Sequence, residues 1–147
     1  MSEDFKNSDY RSICRQNRNI KLEKLQKITI YWFPVLIYCL LIYVQSSHPA
    51  PKILPNYPFM DKLLHFVCYA LLGALFLRAF NTTPIKHNLT FVLILSALLS
   101  SLYGISDEIH QSFVPFRTAD PMDVVADILG SIAGVYLYQK IVSKKDK

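Results

Sequence analysis

Residues 89–111 read LTFVLILSALLSSLYGISDEIHQ. From Leu89 to Ser106 the apolar character is interrupted only by hydroxyl-bearing side chains, and two carboxylates, Asp107 and Glu108, then follow in succession. A helix rising about 1.5 Å per residue needs roughly 20 such residues to cross ~30 Å of hydrocarbon. Three further runs share this character. Ile28–Val44 is broken only by Thr29 and Pro34, and Leu63–Phe80 carries His65 and Arg78 near its ends. Val124–Val142 holds Asp127 near its start, Ser131, and Gln139 and Lys140 near its end. With 52% of the chain hydrophobic, a water-soluble bundle would need polar stripes at helical spacing, and these runs have none. The expectation is an all-α integral membrane four-helix bundle with spans at about 28–45, 62–80, 88–107 and 122–142. A basic arm (1–27) precedes this 28–142 domain and a basic tail (143–147) follows it. The first run is too long and too far from the start for a cleaved signal sequence.

Orientation follows from the basic residues. Thirteen of the sixteen Lys and Arg residues lie before span one, beside the turn between spans two and three, or after span four. Only Lys52, Lys62 and Arg117 fall at the opposite end. The positive-inside rule then puts both termini of this multi-pass membrane protein in the cytoplasm. The same basic residues are dispersed and lack an interleaved aromatic set, so no nucleic-acid partner is expected. Cys14, Cys39 and Cys68 imply no disulfide framework, and Cys68 reads as a small buried apolar residue.

The connections are uneven. Gln45–Met60 contains Pro49, Pro51, Pro55 and Pro58 and reads as a stiff, extended outer loop. The turn at Asn81–Lys86 is short, as is the Gln111–Asp120 link, so spans two, three and four should be antiparallel neighbours. Asp120-Pro121 reads as a helix N-cap followed by proline at the first helical position. Gly130 and Gly134 form a G-x-x-x-G step for close helix approach, and Gly73 and Gly104 are further packing positions. The arm at 1–27 offers either a weak interfacial helix or a mobile segment.

Six of the eleven carboxylates gather at the end of the bundle away from the basic excess: Asp61, Asp107, Glu108, Asp120, Asp123 and Asp127. Ionised groups at the edge of hydrocarbon are costly, so they mark a site. Asp61, His65 and Tyr69 descend one face of span two at four-residue steps, with Asp61 suited to capping the helix and His65 to function. Asp107 and Glu108 stand at a helix C-terminus, where they oppose the macrodipole, and no cap explains them. They point about 100° apart. Glu108 is expected to be the inward one, sharing a face with Ser100, Gly104 and Gln111, while His110 faces headgroups. Asp123 can serve as an acid in the first turn of span four. Asp127, a turn deeper, needs a proton or a cation. Arg117 either clamps Asp123 or Glu108 or holds an anionic ligand group through its planar fork. These residues establish no cofactor, and a divalent metal is possible. If a divalent metal is bound, Asp61, His65, Glu108 and Asp123 are the set to test, with His65, Glu108 and Asp123 its candidate ligands.

Three motifs now stand in order: Asp61-Lys-x-x-His65-Phe-x-x-Tyr69-x-x-x-Gly73, then Tyr103-Gly-x-x-Asp107-Glu-x-x-Gln111-x-Phe-Val-Pro-x-Arg117, then Asp123-x-x-x-Asp127-x-x-Gly130-x-x-x-Gly134. Together they cover about residues 58–138 and resemble the VanZ-like family, small bacterial membrane proteins named for a teicoplanin-resistance protein. Two positions depart from the family pattern: Phe116 stands where the residue is usually small, and Asp127 where it is typically Asn. The resemblance implies a bacterial envelope setting and supplies no reaction. The first expectation is therefore non-enzymatic, an outward polar site binding a lipid-linked envelope precursor or a lipoglycopeptide, with the bilayer as the constant partner. The alternative is a membrane hydrolase or transferase acting on a lipid or glycolipid headgroup through a His/carboxylate centre. An ion-coupled carrier would need a homo-oligomer, since four spans lack a second inverted half.

Overall fold

The computed structural model describes residues 3–48, 59–115 and 117–145. Among these residues there are four long α-helices: α1 (Glu3–Ser46), α2 (Met60–Phe80), α3 (Leu89–Gln111) and α4 (Pro121–Lys145), with a 3-10 turn at Pro84–His87 before α3. No strand occurs among the described residues. Each of the four helices is long and apolar enough to cross a membrane. The proline-rich stretch expected to form the outer loop falls at 49–58, outside the described residues, and Phe116 is outside them too.

The helix ends follow local chemistry. Asp120 caps α4, its Oδ1 accepting from the backbone N–H of Met122 at 2.9 Å, with Pro121 in the first turn where a missing N–H costs nothing. Asn88 caps α3 by accepting from the N–H of Phe91. Asp61, expected as the cap of α2, is not one. The helix begins a residue earlier, behind Phe59 in the left-handed region (φ 73°), with no side-chain cap. The Asn81-Thr-Thr turn closes as Thr82 and Thr83 donate their hydroxyls to the carbonyls of Ala79 and Phe80. The basic arm is helical and continuous with the first span, since neither glycine nor proline interrupts Glu3–Phe33. At 44 residues α1 is about 66 Å long, roughly twice the hydrocarbon thickness.

Packing inverts the soluble pattern. Leu36, Leu40, Ile94, Leu129 and Ile132 point outward and are exposed, while Ser96, Ser100, Ser131 and Asp127 are fully buried. Apolar groups outside and polar groups paired within suit a hydrocarbon solvent. The closest helix pair is α2 with α4. A Cβ at Gly130 or Gly134 would be driven into the carbonyl oxygen of Phe66 or Ala70, and one at Gly73 would stand 2.7 Å from the Ser131 carbonyl oxygen. Small residues thus bring the two backbones into contact. Helix α3 lies against both α2 and α4, and its Ser100 joins them: Ser131 Oγ donates to Ser100 Oγ at 2.7 Å, and Ser100 Oγ donates to the Tyr69 carbonyl at 3.2 Å. Helix α1 is peripheral. It is held by Val35, by Trp32 edge-on to Phe80, and by two phenols, Tyr38 donating to the Cys68 carbonyl and Tyr103 of α3 donating to the Cys39 carbonyl. This alternation gathers the C-terminal ends of α1 and α3 and the N-terminal ends of α2 and α4 at one pole.

Candidate functional site

At that pole the polar side chains of α2, α3 and α4 converge. His65 of α2 is the hub, only 11% exposed. Its Nδ1 lies 3.0 Å from Asp127 Oδ1 of α4, and its Nε2 lies 3.9 Å from Glu108 Oε1 of α3. An ionised carboxylate only accepts, so Nδ1 carries the proton of the first bond and Nε2 is left facing Glu108. Asp127 is wholly buried, folded over Gly104, where its Oδ2 stands 2.6 Å from the place a Cβ would take. The Glu108 carboxylate spans two tasks. Its Oε2 accepts from the backbone N–H of Asp120 at 3.1 Å, so α3 satisfies the N–H of the residue that caps α4.

Asp123 is engaged elsewhere. Lys62 Nζ donates to Asp123 Oδ1 at 3.0 Å and to Asp120 Oδ2 at 2.6 Å, tying α2 to the start of α4. The Lys62 bond, with the Met122 N–H, holds the Asp120 carboxyl below the usual carboxylate range. Sequence reasoning missed this role for Lys62. The available signal was its place one residue after Asp61, in the first turn of a span and among the few basic residues at that end.

Asp107 and Glu108 are both buried, so the expectation that only Glu108 turns inward is corrected. Because α3 packs on two neighbours, residues 100° apart each meet one. Asp107 Oδ2 accepts from Gln111 Nε2 at 3.1 Å, and Gln111 Oε1 accepts from Arg117 Nη1 at 3.3 Å. Arg117 does not clamp Asp123 or Glu108; among the described residues it meets no carboxylate. Its Nε donates to the His48 carbonyl and its Nη2 to the Gln45 carbonyl, both at 2.9 Å, satisfying acceptors at the end of α1. His110, expected at the headgroups, instead docks α1: its Nε2 shares a 3.0 Å hydrogen bond with Ser47 Oγ, and its ring lies against Tyr43.

Beside this cluster is a cavity of about 420 Å³ between α1, α2 and α3. Asp61, His65, Asp107, Gln111 and Arg117 line its polar end, and Tyr38, Leu41, Ile42, Leu64 and Cys68 its apolar wall. Four buried side-chain atoms lack a hydrogen-bond partner among the described residues: Ser46 Oγ, Tyr69 Oη, Glu108 Oε1 and Asp127 Oδ2. The first two residues line the cavity; the other two flank His65. Two overlapping donor groups could hold a metal, Asp61/His65/Asp123 and His65/Glu108/Asp127, so the set expected from sequence divides into two, with Asp127 joining the deeper one.

A family model described as VanZ/LLP1 matches residues 2–143. The chain belongs to the VanZ/LLP1 family. No curated protein and no solved structure matches. The family match reaches beyond the motifs at 58–138 to take in α1, and α1 brings Tyr38, Leu41 and Ile42 to the cavity's apolar wall and the Gln45 carbonyl to Arg117. Asp127, where the resemblance leads one to expect Asn, keeps an oxygen that accepts the His65 Nδ1–H and makes that bond charge-assisted.

Proposed function

We propose that this VanZ/LLP1 protein sits in a bacterial cytoplasmic membrane with its polar pole outward and binds the headgroup of a lipid-linked envelope molecule in the cavity. The observation that carries this reading is the cavity's division into an apolar wall and a polar end with unused hydrogen-bonding capacity. Arg117 spends three donors on neutral acceptors, which leaves one N–H on each terminal nitrogen for an anionic group. The buried hydroxyls of Ser46 and Tyr69 belong to residues lining the same cavity and have no hydrogen-bond partner among the described residues. A chain from an acyl or prenyl group would lie along Leu41, Ile42 and Leu64. The basic excess at the opposite pole supports the outward placement. In this reading tolerance of teicoplanin-type glycopeptides arises through a shared lipid-linked ligand or the antibiotic's own lipid part, without catalysis.

The test compares wild type, Arg117→Ala and Glu108→Ala at matched protein levels in a deletion strain, reading susceptibility to a lipid-bearing and a lipid-free glycopeptide. Tolerance should fall in Arg117→Ala for the lipid-bearing drug alone. Equal susceptibility of the deletion strain and the complemented strain would remove the antibiotic connection.

A second reading is favoured by His65 itself, oriented by Asp127 at 3.0 Å, with Nε2 facing a Glu108 oxygen that has no hydrogen-bond partner among the described residues. That is the arrangement of a general acid/base in a membrane hydrolase or transferase acting on a lipid or glycolipid headgroup. A headgroup change seen by lipidomics on deletion, and restored by wild type but not by His65→Ala, would select it.

A further inference from the structure

We propose that His65, Glu108 and Asp127 form a buried binding site for one first-row divalent cation, Zn2+ or Mn2+, joining α2, α3 and α4 behind the cavity. The first support is geometric. One donor atom from each residue lies within 4.8 Å of the others, and each comes from a different helix. A cation holding nitrogen and oxygen at about 2.0–2.2 Å spaces its donors by at most roughly 4.4 Å, so the three close on it with small side-chain movements.

The second support is independent of spacing: two of the donor residues are more than nine-tenths buried and each carries a carboxylate oxygen without a hydrogen-bond partner among the described residues. Glu108 Oε1 faces His65 Nε2 at 3.9 Å, and Asp127 Oδ2 is sealed against Gly104. An orphaned carboxylate oxygen in a buried site is costly unless something supplies a positive partner. The charge balance points the same way. Asp107, Glu108, Asp123 and Asp127 are all buried, and among the described residues Lys62 is the one lysine or arginine in contact with any of them. That contact also decides between the two donor groups. Lys62 Nζ sits on Asp123 and would repel a cation from Asp61/His65/Asp123, whereas no lysine or arginine touches Glu108 or Asp127 among the described residues. One imidazole with two carboxylates is a borderline donor set, suited to Zn2+ or Mn2+ over Ca2+ or Mg2+, which take oxygen ligands.

The alternative is that His65 carries a second proton and bridges the two carboxylates without metal. The test uses protein stripped with chelator in lipid nanodiscs and titrated with Zn2+, Mn2+ and Ca2+ separately. Bound metal is read by elemental analysis after desalting, and Mn2+ also by its electron-spin resonance. Wild type should hold about one Zn2+ or Mn2+ per chain and no Ca2+, while His65→Ala and Glu108→Gln weaken binding at least ~100-fold. Asp127→Asn takes the charge from one ligand while leaving an oxygen that can accept from His65, and should weaken binding at least ~10-fold. Asp61→Asn should bind as wild type, and metal-free melting curves identify any variant that has not folded. Substoichiometric binding by wild type overturns the proposal. So does binding that survives in both His65→Ala and Glu108→Gln, which would place the metal on surface groups. Neither outcome touches the lipid-binding reading, which rests on Arg117 and the cavity.

Discussion

The carboxylate of Asp127 occupies the volume that a side chain at Gly104 would fill, its Oδ2 2.6 Å from where a Cβ would stand. The absence of a side chain on α3 is therefore what lets α4 lay an acid against His65. Gly104→Ala must push Asp127 away or part the helices, and overpacking of this kind costs about 1–3 kcal/mol. The same substitution in an Asp127→Ala background should cost measurably less. A double-mutant cycle by unfolding in detergent reads the coupling, and additive effects would show that the two positions do not compete for the space.

Gly130 and Gly134 hold α4 against the α2 backbone at Phe66 and Ala70. Alanine at Gly134 should destabilise more than alanine at Gly130, because its Cβ runs deeper into the facing carbonyl. Both should lose about 1–3 kcal/mol, the range for overpacking a tight contact. Thermal melts of the purified proteins give the order.

Lys62→Met leaves Asp123, 4% exposed in its side chain, without its cation. Removing one partner of a buried pair costs roughly 3–5 kcal/mol, reduced here to about 2–3 because Lys62 is partly exposed. Adding Asp123→Asn should recover part of that loss. No recovery would mean that the pair is not what ties α2 to α4.

Asp120 has a lowered folded-state value because it accepts from Lys62 and from the Met122 N–H. A group of this sign adds stability that is complete above the ordinary aspartate value near ~3.9 and is lost as pH falls through its lower folded value. Asp120→Asn should therefore flatten the acid limb of the stability–pH curve and leave the neutral region's slope unchanged. Chemical unfolding at a series of pH values between ~2 and 7 checks the sign.

Much of this architecture could be read from the residues. The four apolar runs give the four helices, Asp120-Pro121 gives a helix start, and Gly130 with Gly134 gives a close contact. Periodicity states which residues share a face of one helix; it does not state how many neighbours that helix has. Both Asp107 and Glu108 are buried because α3 lies between two partners, a fact of tertiary packing. Charge counting likewise offered Arg117 as a counter-ion of the acids, beside its reading as a holder of an anionic ligand group. The chain instead carries it to the carbonyls at the end of α1, and Lys62, a turn's reach from α4, takes the carboxylates. Helix α3 also runs a turn past the expected boundary at 107, because its last turn is buried against the neighbours and does not end at an exposed edge.

The central claim is that the cavity holds an amphiphile by its anionic group through Arg117. Native mass spectrometry of the protein released from nanodiscs of its host's own lipids measures this directly. Wild type should carry one retained anionic lipid or lipid-linked species, with Arg117→Ala losing it at least ~10-fold and Arg117→Lys, which keeps charge but not the planar fork, falling between them. The same lipid complement on wild type and Arg117→Ala would contradict the account.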